Sequence, residues 1–155
     1  TFRMSCQQSE DNKEKVLKII DAFKDKVKTL KEIMYLAEDF YIEKIESYED
    51  AALEILKTET GLKVIDLFLK KLEENKETDK DEITEDKAKE IINEISNELK
   101  EYKINGKMLY MPIRASVTGK VHGPELPKVI SILGAGCCIE RVKQTKDFIE
   151  NKIKI

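Results

Sequence analysis

The chain has 155 residues, enough for one substantial core or two small ones sharing an interface, so it needs neither a disulfide framework nor a structural metal to fold. Charged residues make up 38% and aromatics 6%, with no tryptophan, so helix packing has to rest on Ile, Leu, Val and Ala. Apolar runs are only a few residues long and no basic-then-apolar leader is present, which argues against a membrane span or a secretory signal and for a cytoplasmic protein.

Residues 1–11 have no periodicity and are expected to be a disordered or appended end. From Asn12 onward, Val16, Ile19, Ile20, Phe23 and Val27 recur at helical spacing and predict a first amphipathic helix. Thr29-Leu30-Lys31-Glu32 is a capping-box pattern, predicting a second helix through Ile33, Met34, Leu36, Ala37 and Phe40. Lys26 lies in the break between them, where a lysine reads by itself as a surface charge at a helix end. A linker at residues 41–48 leads to Ser47, the expected cap of a helix through Ala51, Ala52, Ile55 and Leu56. Residues 58–60 punctuate the chain. Leu62, Val64, Ile65, Phe68, Leu69 and Leu72 then form an apolar face broad enough to place their helix at the centre of the core.

Residues 73–82, EENKETDKDE, are entirely polar and mark the expected boundary between two helical subdomains, 12–78 and 79–155. Thr84 caps the next predicted helix, with Glu85 and Asp86 in its first turn and Ala88, Ile91, Ile92, Ile95 and Leu99 as its buried stripe. Asn105-Gly106 ends it in a turn. At the far end Cys138, Val142, Thr145 and Ile149 keep helical spacing. Strand-type alternation and internal repeats are missing, so the predicted fold is all-α, with two small helical bundles.

Residues 107–134, KMLYMPIRASVTGKVHGPELPKVISILG, differ in kind from the rest. They hold all three prolines, three of the six glycines and the only histidine. Pro112 is expected to start a helix that Gly119 ends, and Pro124 another that Gly134 ends, leaving a turn at residues 119–123. The start of the second helix presents unpaired N–H groups beside Lys120, His122 and Lys128, a setting suited to phosphate or base-edge oxygens. From Lys103 to Lys128 the stretch carries +4, leaving −7 for the remainder of a chain whose net charge is −3. A polyanion responds to the local field, so an acidic body with a basic corner is compatible with docking part of a nucleic acid. A solvated lysine-rich face is the bland alternative.

The run MPIRASVTGKVHGPELPKVISILG resembles the C-terminal motif of bacterial glutamyl-tRNA synthetases, and DKVKTLKEIMYLAEDFY resembles the start of that family's anticodon-binding region. The resemblance spans roughly Asn12 to the end of the chain. It implies an anticodon-binding portion of a class I aminoacyl-tRNA synthetase, a glutamate–tRNA ligase that uses ATP and magnesium in a catalytic domain whose motifs this sequence lacks. It implies tRNA for glutamate as partner, with tRNA for glutamine as a second candidate, a monomer, no membrane, and no cofactor or catalytic residue in this piece, which alone should be inactive. It places Arg114 at the family's base-reading arginine and Lys26 where discriminating enzymes often carry an arginine for the last anticodon base. Gly123, Pro124, Leu126 and Pro127 fall in the loop that cradles the middle base, Thr118 of the Thr-Gly pair is a further RNA-binding candidate, and Lys120 and His122 are candidates for touching phosphates. Gly123 and Pro127 stand where some relatives have Thr and an aromatic ring, which removes a hydroxyl and a stacking surface.

Each residue also has a plainer reading: a salt-bridging brace for Arg114, a loop-bracing or solvated imidazole for His122. The three cysteines, Cys6, Cys137 and Cys138, suit a reducing compartment. Without a CxxC pair or a second histidine they do not form a zinc set, and buried packing thiols are commoner than a Cys-His nucleophile. The competing function is an all-α protein-interaction module with no RNA role.

Overall fold

The computed structural model describes residues 6–24, 40, 44–78, 82–104 and 106–153, and six α-helices lie among them. They are α1 (Cys6–Phe23), α2 (Asp50–Leu56), α3 (Glu59–Thr78), α4 (Glu85–Glu98), α5 (Lys107–Thr118) and α6 (Leu126–Ile153). A 3-10 turn, Lys100–Tyr102, follows α4. Among the described residues there is no strand, and the fold is all-α. α1 begins six residues ahead of the expected start at Asn12, and Thr29 and most of its predicted helix lie outside the described residues, as does Lys26.

Local chemistry accounts for several of these boundaries. The Thr84 hydroxyl accepts from the Lys87 N–H at 3.1 Å and starts α4, whose Ala88, Ile91, Ile92 and Ile95 are buried along one stripe. Thr58 Oγ1 likewise accepts from Gly61 N at 2.9 Å to open α3. The cap of α2 differs from expectation: Glu49, not Ser47, stands at its N-cap, in extended backbone and without a side-chain bond.

α3 supplies Val64, Ile65, Phe68 and Leu72, all with no exposed surface, and packs against α2, α4, α5 and α6. Because α3 reaches across to α5 and α6, apolar residues from α1 through α6 join one continuous cluster. The polar run expected to separate subdomains begins inside α3, which continues to Thr78. α6 is broken at Gly134 (φ 82°, ψ 165°) into limbs at residues 126–133 and 135–153. Cys138, Val142, Thr145 and Ile149 line the buried side of the second limb.

Both expected proline starts are corrected by the structure. α5 begins at Lys107, so Pro112 sits inside it, and the second helix begins at Leu126, two residues past Pro124. Pro112 removes the bond that would have reached the carbonyl of Met108, a residue exposed to water, while its own ring is buried against the core. Gly119 ends α5 as expected, in the left-handed region at φ 74°.

Candidate nucleic-acid interface

The end of α5 is fixed from three sides. Within the helix, Gly119 N donates to Ala115 O at 2.9 Å, and the Thr118 hydroxyl donates to Arg114 O at 2.8 Å while accepting from Lys120 N at 3.1 Å. From α6, Arg141 Nη1 donates to Val117 O at 2.8 Å and Thr145 Oγ1 donates to Ser116 O at 2.9 Å. Since the single Thr145 proton is used there, the Tyr48 hydroxyl donates to Thr145 Oγ1 at 2.9 Å. Burial pushes the Tyr48 phenol above its usual range, against the opposing Thr145 bond and Arg141 charge.

The third side is an irregular strap at residues 44–49. Its Glu49 N donates to Gly119 O at 2.8 Å, and Glu49 Oε1 accepts from Val121 N at 3.0 Å. Gln144 holds both backbone groups of Ile45, accepting from its N–H at 3.0 Å and donating to its carbonyl at 2.7 Å. Tyr48 stacks on Phe148 with ring centroids 4.7 Å apart. The turn after Gly119 is therefore held between the strap and α6.

That turn forms one wall of a narrow cleft. Arg114 and Thr118 from α5, Lys120, His122, Gly123 and Pro124 from the turn, Arg141 and Val129 from α6, and the rings of Phe23 and Phe40 line it. Its volume, about 60 Å³, suits an edge or corner of a ligand and falls well short of a pocket for a whole small molecule. Among the described residues, none that lines it is acidic. Arg114 Nη1 is buried and has no hydrogen-bond partner among the described residues, and burial holds the guanidinium below its usual pKa range. Gly123 leaves room beside it: a Cβ there would stand 3.1 Å from Arg114 Nη1 and press that nitrogen aside by a few tenths of an ångström. A desolvated cation beside bare backbone can donate to an incoming acceptor with little rearrangement.

The structure thus brings together Arg114, Thr118, Lys120, His122, Gly123 and Pro124. The Thr118 hydroxyl is already engaged by backbone groups on either side of it. Leu126, 2% exposed, packs into the core, and Pro127, half-buried, is not among the residues lining the cleft. Lys128 reaches back to Asp21 on α1 at 3.6 Å. Arg141, 1% exposed, is the main residue that sequence reasoning missed. Its signal was its place three residues after Cys138 on the buried stripe. Cys137 is half-buried and Cys138 buried, and among the described residues no three His, Cys, Asp or Glu side chains converge as a metal site requires. Among the described residues, too, no helix is long and apolar enough to cross a membrane.

Among the described residues the body is all-helical and its basic corner opens as a small cleft lined by Arg114, Lys120 and Arg141, and comparison with known proteins specifies the class. The chain belongs to the anticodon-binding domain family, whose model matches residues 2–146. Among curated proteins it is similar to glutamate–tRNA ligase 2 of Caldanaerobacter subterraneus subsp. tengcongensis, 35% identical over 132 residues that cover 85% of this chain and 25% of the ligase. It is also similar to the glutamate–tRNA ligase of Clostridioides difficile, 35% identical over 145 residues, 92% of this chain and 28% of the ligase. The Bacillus subtilis glutamate–tRNA ligase is 35% identical over 141 residues, 91% of this chain and 27% of the ligase. The chain spans about a quarter of the length of these curated relatives.

Proposed function

We propose that this chain holds the anticodon loop of a tRNA, as part of a glutamate–tRNA ligase that joins glutamate to its tRNA using ATP. The observation that supports this most directly is the cleft itself, where the buried Arg114 Nη1 stands as a donor beside Lys120 and Arg141. Loop bases are read by splaying them out and bonding their edges, and a guanidinium supplies a planar fork of donors for such an edge. In this reading Arg114 bonds a base edge, Lys120 and His122 face phosphates, and the backbone at Gly123 and Pro124 shapes the slot. The names of the relatives favour the tRNA for glutamate, with the tRNA for glutamine as the second candidate. Lys26 is assigned the last anticodon base, where a mobile ammonium tells C from G less sharply than an arginine fork. ATP and magnesium are assigned to the part of the ligase outside these residues, and the protein is taken to act as a cytoplasmic monomer.

The test is binding of a glutamate-tRNA anticodon stem-loop over a salt series. Several phosphate contacts predict a steep loss of affinity between about 50 and 200 mM salt. Salt-insensitive binding, or equal binding of a stem-loop with a scrambled loop, would contradict the proposal, and salt-insensitive capture of a protein would favour the interaction module instead. Glutamate-dependent pyrophosphate exchange by these residues alone would contradict the assignment of ATP elsewhere.

A further inference from the structure

Ser116 and Val117 are in the last turn of α5, where a helix leaves carbonyls without intrahelical partners. Had α5 continued, the N–H groups of residues 120 and 121 would have met them. Gly119 turns the chain away, and those N–H groups bond Thr118 Oγ1 and Glu49 Oε1 instead. The two carbonyls are met from another helix. Arg141 and Thr145, one turn apart on α6, reach Val117 O and Ser116 O at 2.8 and 2.9 Å. A guanidinium there also sets positive charge against the negative end of the α5 dipole.

Arg141 is the largest fully buried side chain among the described residues, and it lines the same cleft as Arg114. A buried charge is costly, and an apolar residue of similar size would fill the space at less expense. Retaining a cation here makes sense if its bonds specify geometry. From these observations we infer that Arg141 is a positioning residue for anticodon reading: it fixes the last turn of α5, and with it the direction of Arg114 and the register of residues 119–123. The inference rests on the functional reading above. Lysine is an incomplete substitute, because its ammonium keeps the charge but, as a mobile point charge on a flexible stem, does not hold the Val117 carbonyl in one fixed direction.

The experiment compares wild type with Arg141→Lys and Thr145→Val in three measurements. These are thermal unfolding, amide hydrogen exchange of residues 119–123 in the free chain, and affinity at one salt concentration for the native anticodon stem-loop and for loops with each anticodon base changed in turn. The charge-retaining Arg141→Lys is expected to stay folded, to exchange faster at residues 119–123, and to lose roughly tenfold in affinity for the native loop. Mismatched loops should change by less than about twofold, so base discrimination falls while phosphate binding persists. Thr145→Val, which keeps Arg141, should move exchange and discrimination in the same direction by less, and it carries the test if Arg141→Lys does not fold. Equal loss on matched and mismatched loops, or a stable Arg141→Lys with unchanged exchange and discrimination, overturns the inference and leaves the functional reading standing. Failure of wild type to distinguish the loops overturns both.

Discussion

Replacing Gly119 by alanine probes the point where helix end, strap and cleft meet. At φ 74° an alanine pays the left-handed backbone penalty, about 1–2 kcal/mol. Its Cβ would also stand 2.5 Å from the Ser47 carbonyl oxygen and 2.9 Å from Ile45 Cγ2, too close for either to stay in place. If the strap lifts, the bonds from Glu49 N to Gly119 O and from Val121 N to Glu49 Oε1 are strained or lost, at about 1 kcal/mol each. The total is about 3–4 kcal/mol, a large share of the 5–15 kcal/mol typical of a domain. Urea unfolding should show a lower midpoint with an unchanged slope. Gly119→Asn separates the two causes, since asparagine tolerates the left-handed region but carries the same Cβ. It should recover about 1 kcal/mol and no more. A loss below about 1 kcal/mol for Gly119→Ala, or wild-type stability for Gly119→Asn, would refute the strap contact as a determinant of the turn.

Thr84→Ala removes the hydroxyl that opens α4 and should cost about 1 kcal/mol in the same assay, with faster amide exchange confined to the first turn of that helix. Lys71 links α3 to α4 through Glu98 at 2.6 Å and Glu94 at 3.5 Å. The Glu98 hydrogen bond, opposed by burial and aided by both carboxylate charges, raises the Lys71 pKa above 10.5. A raised lysine pKa means the contribution is complete below 10.5 and lost as pH climbs through the folded-state value. Wild type should therefore exceed Lys71→Met by less than about 1 kcal/mol at neutral pH, and the difference should vanish in strong alkali. A gap that widens with rising pH would contradict the assignment.

Local rules made much of the fold legible. The Thr84 cap and the Ala88–Ile95 stripe were readable because cap chemistry and helical spacing act within a few residues. Gly119 was readable for the same reason. Pro112 was misplaced because the preference for the first helical turn is a local tendency, overridden here by burial of its ring against the core. Arg141 was missed because a charged residue defaults to the surface, although its spacing from Cys138 put it on the buried face. The strap was beyond any spacing argument, since Gln144 and Ile45 are 99 residues apart and meet only in the folded chain. Leu126 shows the limit of reading a site from a motif: the helix start is near where expected, but the side chain turns inward.

The most direct test of the account is the affinity of Arg114→Ala for the glutamate-tRNA anticodon stem-loop, measured beside its stability. Arg114 Nη1 has no hydrogen-bond partner among the described residues, so removing it should leave the unfolding midpoint unchanged or slightly raised. Loss of a bidentate base contact predicts binding weaker by about 1–3 kcal/mol, with discrimination relaxed at one anticodon position and little change in the salt slope. A sharply lower unfolding midpoint with normal RNA binding by the folded fraction would instead make Arg114 a brace, and the cleft would not be where the anticodon is read.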